Sequence, residues 1–157
     1  MSESLGFDEL GINVKSYVER FKRELLRRFG DEVRSIVVFG SRARGRWKPW
    51  SDVDVIVVLK RAPKGLARVL SMPYAPLVEP WVYDENEFYE AMRRFDVAVL
   101  DALEHGIVIH DDGFWKEARR FFKEFKREWD LVEVEEGWVS RRLERKSLRE
   151  SARSESN

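Results

Sequence analysis

The chain has 157 residues, the length of one domain, and 43% hydrophobic residues are enough to fill a core. Lysine plus arginine and aspartate plus glutamate stand at 29 each, and this zero formal net charge excludes a polycation that grips nucleic acid through bulk electrostatics. No cysteine is present, no apolar run reaches the length of a membrane span, and the start "MSESLGFDEL" is polar. Disulfides, thiolate metal sites and membrane helices are therefore not expected, and a cytoplasmic location is.

Residues 12–29 place Val14, Tyr17, Val18, Phe21, Leu25 and Phe29 at helical spacing, with Gly30 as a stop. "VRSIVVF" (33–39) and "DVDVIVVL" (52–59) are short and β-branched, and their continuous apolarity predicts strands buried on both faces. The connection between them holds Gly, Pro and several cations and reads as a loop. Residues 63–73 have room for a short helix between prolines. "APLVEPWVYD" (75–84) reads as a third strand, where Pro80 argues for an edge position or a bulge. Helices are expected over 84–95 and 96–106, a short fourth strand over 107–111, and a strong helix over 112–129 with Phe121, Phe122, Phe125 and Trp129 in the core. Residues 130–146 are ambiguous: Gly137-Trp138 fits a small hairpin or a broken helix. The last stretch, 146–157, is polar and Ser-rich and is expected to lack structure, leaving residues 1–145 as the folded domain. The basic run 141–146 reads as a solvated face, with RNA contact as its only nucleic-acid reading. The alternation of helices and strands implies an α+β (mixed α/β) fold with a small sheet. Threonine and glutamine are absent while Arg, Lys and Glu abound, a bias that suits a thermophile or reflects genome composition.

The chemistry gathers in "GSRARGRWKPWSDVD" (40–54). Asp52 and Asp54 are two apart on a strand, so their side chains share a face. Two such carboxylates repel unless a cation joins them. A divalent cation such as Mg²⁺ does this with carboxylates, water and phosphate, and an arginine from the loop could do it too. If the two strands are antiparallel neighbours, Gly40-Ser41 meets the aspartates at one sheet edge. Backbone amides there and the turn into "SRARG" favour an anion. The parts are those of a metal–nucleoside triphosphate site, although the Walker pattern GxxxxGK[ST] is absent. Glu79, inside an apolar strand, is a candidate third carboxylate, as metal ligand or general base; an exposed residue paired with an arginine is the plainer alternative. Trp47 and Trp50 either pack on the domain or stack on a base or partner. His105 and His110 lack ligand spacing and read as surface or boundary histidines.

Gly40-Ser41 followed by Asp52-x-Asp54 resembles the signature of the DNA polymerase β-like nucleotidyltransferase superfamily. It is most similar to the small prokaryotic minimal nucleotidyltransferase (MNT) group, over roughly residues 12–128. The resemblance implies a mixed sheet of three to four strands flanked by helices. It implies two Mg²⁺ ions and transfer of a nucleoside monophosphate from an NTP, ATP first, to an acceptor hydroxyl. By position, Gly40 and Ser41 would hold the triphosphate, with Arg42, Arg44 and Ser51 in the nucleotide-binding set. Asp52 and Asp54 would bind metal, and Glu79 would complete the metal set and aid deprotonation. The group implies a helical HEPN-type protein partner, either nucleotidylated or neutralised by occlusion without catalysis.

Overall fold

The computed structural model describes residues 4–155. Helix α1 (Lys15–Phe29) leads into β1 (Val33–Phe39) and β2 (Val53–Leu59). Short helix α2 (Leu66–Ser71), strand β3 (Val78–Asp84), and helices α3 (Glu85–Arg93) and α4 (Val97–His105) follow. Then come β4 (Ile107–Asp111), α5 (Phe114–Trp129), a hairpin of β5 (Leu131–Val134) and β6 (Gly137–Ser140), and α6 (Arg141–Glu155). None of the described helices is long and apolar enough to cross a membrane.

The main sheet is mixed, in the order β3-β2-β1-β4. β1 is antiparallel to both β2 and β4, and β2 is parallel to β3. The two β-branched runs hold the central positions because both of their faces are covered. Val37, Phe39, Ile56 and Val58 join Phe88, Leu100, Trp115 and Phe122 on one side. Ile36, Val38, Val55 and Val57 pack with Val18, Phe21 and Leu25 of α1 on the other. β3 has a neighbour on one side only, which is where a strand can carry Pro80 without losing a ladder bond. The fold is therefore the expected α+β arrangement, with a four-stranded mixed sheet and six α-helices among the described residues.

Local chemistry sets the element ends. Asp84 and Glu87 form a reciprocal capping box at the start of α3. Asp96 caps α4 by accepting from the Ala98 and Val99 amides. Gly137-Trp138 belongs to a hairpin, with Gly137 at φ 137 after the Glu135-Glu136 turn. Of the aromatic row on α5, Phe122 is buried, while Phe121 is 50% exposed, so the expected core row is narrower.

The polar C-terminal stretch differs from the expectation of an unstructured tail: it is helical to Glu155, and none of its residues is buried. Ser140 Oγ accepts from the Leu143 amide at 3.1 Å and caps the start, and Arg142 stacks over Trp129 at 4.6 Å. Polar composition reports the missing burial, whereas Arg, Leu, Glu, Lys and Ala still favour a helix. Residues 156 and 157 of that stretch lie outside the described residues.

Candidate active site

The strand registers decide what meets at the sheet edge. Phe39 stands opposite Asp54 across β1–β2, and Glu79 stands beside Asp54 across β2–β3. Neighbouring strands lie about 4.8 Å apart, and side-by-side residues share a face. Asp52, two residues before Asp54, follows the same parity. Asp52, Asp54 and Glu79 are thus gathered at the end of β1 where Gly40 turns the chain away.

Gly40 has φ 78, and a Cβ there would lie 2.5 Å from Asp54 Oδ2. No side chain fits this combination of left-handed backbone and close approach. Beyond it the chain winds in tight turns, with the Arg44 amide donating to Gly40 O and the Arg46 amide to Ser41 O. The turn at Gly40 and the Asp54 carboxylate are consequently packed against each other.

Asp54 is half-buried, while Asp52 and Glu79 are exposed. Burial lifts the Asp54 carboxyl from its usual 3.8 to about 6, and the negative charges of Glu79 and Asp52 add to the rise; a hydrogen bond from Trp81 opposes it. That bond runs from Trp81 Nε1 to Asp54 Oδ1 at 3.3 Å, and the Trp81 ring meets Phe39 edge-on. Among the described residues, none of the three carboxylates is in an ion pair with a protein cation. Three adjoining carboxylates, one of them proton-hungry, form an all-oxygen donor set that suits a hard divalent cation such as Mg²⁺.

A cleft with a cavity volume of about 620 Å³ opens beside this edge, large enough for a nucleotide-sized ligand. Its lining includes Gly40, Ser41, Arg44 and Trp81, Asp101 of α4, and Glu133 to Trp138 of the β5–β6 hairpin; Asp52, Asp54 and Glu79 lie outside that lining, with Trp81 bridging the cleft to Asp54.

The structure separates the loop residues that the sequence grouped. Arg44 faces the cleft, held by Asp101 at 3.1 Å and Glu133 at 3.7 Å. Arg42, expected to contact phosphate, is placed differently: it is 1% exposed. Its guanidinium donates to the carbonyls of Leu5, Phe7, Lys48, Pro49 and Ser51, which occupies all five N–H groups. It therefore staples the loop to the N-terminal segment and leaves no donor for a phosphate. Ser51 closes the same loop, its hydroxyl accepting from the Lys48 amide at 2.8 Å, so it too serves the loop rather than the cleft. Trp47 packs down, with Arg42 over its ring at 5.1 Å, while Trp50 is 65% exposed.

Two cleft residues escaped the sequence reading. Asp101 accepts from the Gly40 amide at 3.1 Å through Oδ2 and from Arg44 through Oδ1, so it braces the turn and the arginine together. Glu133 pairs with His105, whose Nε2 lies 2.8 Å from its carboxylate. The signal for Asp101 was present, as a lone carboxylate inside the apolar helix "VAVLDAL"; nothing in "DLVEVEEG" singles out Glu133.

A family model described as "Nucleotidyltransferase domain" matches residues 18–154. A relative in Methanocaldococcus jannaschii, provisionally named protein adenylyltransferase MJ1305, is 40% identical over 149 residues, covering 81% of this chain and 99% of its own. Protein adenylyltransferase MntA of Thermococcus cleftensis is 33% identical over 96 residues, 60% of this chain and 81% of its own. Among solved structures, a toxin–antitoxin complex with AMP-PNP aligns at 16% identity and a TM-score of 0.45, covering 71% of this chain and 92% of that one. On the family match and the 40% identity, the chain belongs to the nucleotidyltransferase domain family and is a nucleotidyltransferase.

Proposed function

We propose that the protein is a Mg²⁺-dependent protein adenylyltransferase, moving AMP from ATP onto a hydroxyl of a partner protein, with release of pyrophosphate. The observation that carries this reading is the convergence of Asp52, Asp54 and Glu79 on one strand edge, unpaired, beside the Gly40-Ser41 turn. Relatives named protein adenylyltransferases support the choice of AMP and of a protein acceptor. Solved complexes of MntA with HepT are among the structural likenesses, and a helical HEPN-type protein is the acceptor we favour.

In this account Gly40 and Ser41 receive the triphosphate through the amides of a tight turn, the Gly40 amide leaving Asp101 for a phosphate oxygen. Asp52, Asp54 and Glu79 would hold two Mg²⁺ ions, which when bound neutralise the phosphates and the charge that develops on the leaving pyrophosphate. Glu79 is the exposed member of the pair on β2 and β3, and it is suited to accept the proton of the acceptor hydroxyl. Arg44 lies where it can leave Asp101 for a phosphate oxygen, and Trp81 fixes the orientation of Asp54. The half-buried position of Asp54 strengthens these interactions by removing water.

The test uses α-labelled ATP and a purified HEPN-type protein from the same genome. Label should appear on that protein with the native enzyme and Mg²⁺, and drop to background with the Asp52→Asn, Asp54→Asn double variant. If that variant still suppresses the partner's activity as well as the native chain, suppression works by occlusion and the catalytic reading fails.

A further inference from the structure

Helix α2 is built inside out. Its charged residue, Arg68, turns inward and donates to Pro63 O at 2.6 Å and Val82 O at 3.2 Å, and it is paired with Glu87 at 2.9 Å. Its apolar residues turn outward: Leu66 is 72% exposed, Val69 69% and Leu70 71%, and Tyr74 just beyond is 77% exposed. No residue of α2 is buried. A helix that anchors itself by an ion pair and offers a leucine–valine–leucine ridge to water gains nothing for the isolated fold. Single exposed leucines are ordinary, but a ridge at i, i+3 and i+4 with an aromatic at its end is a contact surface.

The surroundings define what fits. Residues 60–78 contain Lys60, Arg61, Lys64 and Arg68 and no carboxylate. Lys60 and Lys64 are exposed, Arg61 is paired with Glu32 at 2.6 Å, and Arg28 of α1 reaches Ser71 O at 3.1 Å, bringing the basic end of α1 against α2. The apolar ridge is thus bordered by cations. It also runs into the catalytic edge. Tyr74 lies five residues before Glu79, and the intervening Leu77 accepts from the Val53 amide at 2.7 Å, one residue from both Asp52 and Asp54.

We propose that the outward face of α2, with Tyr74, is the docking surface for the acceptor protein, and that this partner presents a helix whose apolar stripe is bordered by Asp and Glu. The inference rests on the reading of a protein acceptor given above. An i, i+3, i+4 ridge seats between the ridges of another helix. The cationic border selects an acidic partner and speeds its approach. A partner held there is continuous with the carboxylates across Tyr74 and the Leu77 turn.

The probe is a fluorescent twenty-residue helical peptide with leucines at i, i+3, i+4 and i+7 flanked by glutamates. The control peptide has lysines in place of the glutamates. Each is titrated with the full chain and with the Leu66→Ser, Val69→Ser, Leu70→Ser variant, whose exposed positions leave the core intact; a melting curve checks the fold. The acidic peptide should bind the native chain at least about tenfold more tightly than the basic one, and the variant should lose at least about tenfold. Lys64→Glu should narrow the preference between the peptides.

The proposal is overturned if neither peptide binds, if both bind equally, or if the variant binds as well as the native chain. It is also overturned if the ridge instead drives flotation with phosphatidylserine vesicles or a dimer that the variant dissolves. Mg·ATP binding is read in the same samples. Its loss in the native chain would count against nucleotidyl transfer alone, and failure of the peptides alone against the docking face.

Discussion

Two carboxylate clusters flank Gly40, and the fold treats them in opposite ways. Asp101 and Glu133, with His105, bring their ligand atoms within 4.8 Å of one another, and Arg44 sits against both carboxylates. That cluster carries its own cation. Asp52, Asp54 and Glu79 share one sheet edge but are gathered less tightly than that, no described cation pairs with any of them, and Asp54 is lifted to about 6. The basic loop that separates β1 from β2 could have neutralised the three. Instead it buries Arg42 among carbonyls and ties Arg44 to Asp101. Stability alone gives no reason to leave the second set of charges unpaired. Under the proposed function, the difference is what a seat for a cation that arrives with the substrate requires.

The largest effect should come from Asp54→Asn. Transfer should fall at least about a thousandfold, as expected when charge stabilisation at the reacting phosphate is lost. The metal-free protein should nevertheless become more stable above pH 6. A carboxyl whose pKa rises on folding favours the folded state while protonated, and that stability is lost as pH rises from 3.8 through about 6. The asparagine escapes this loss, so its melting temperature at pH 8 should exceed that of the native chain; a lower one would break the comparison.

Gly40→Ala comes next. The methyl group would meet Asp54 Oδ2 on a positive-φ backbone, so either the turn or the carboxylate must move. Displacing a positioned group by about an ångström costs on the order of a hundredfold in rate. Single-turnover transfer measures it, and a variant as fast as the native chain would show that the turn does not position Asp54.

The pH dependence is smaller. Because a proton competes for Asp54, the affinity of the nucleotide-free protein for Mn²⁺ should fall about tenfold per unit below pH 6 and level off above it. Calorimetric titrations from pH 5 to 8 read this directly, and a flat profile would place the cation elsewhere.

Arg44→Ala sharpens the contrast from the other side. It leaves Asp101 and Glu133 without their cation and should cost about 1–3 kcal/mol in chemical denaturation. The released cluster should then take up a divalent ion, so that Mn²⁺ stoichiometry rises above the native value. An unchanged stoichiometry would show that Arg44 is not what keeps the second cluster free of metal.

Much of the candidate site's layout was legible because its signals are local. Gly40-Ser41 and Asp52-x-Asp54 sit at the ends of two strands that any period-2 reading finds, and Glu79 stands out as a charge in an apolar strand. Whether Glu79 reaches Asp54 depended on parallel pairing of β2 with β3, which no local pattern specifies. Arg42 and Arg44 show the limit most clearly. They are two residues apart in the same loop and chemically identical, yet one is buried under the N-terminal segment and the other faces the cleft. That choice is made by carbonyls from Leu5 and Phe7, more than thirty residues earlier in the chain. The C-terminal stretch taught a different lesson, since its polarity reported exposure and was silent about the helix.

Calorimetry with ATP, in the presence of Mg²⁺ and then of a chelator, on the native chain and on Asp54→Asn, tests the central claim most directly. Native binding should weaken sharply when Mg²⁺ is removed, while the variant should bind weakly and equally in both conditions. A variant that keeps the full Mg²⁺ dependence would contradict the assignment of Asp52, Asp54 and Glu79 as the metal seat.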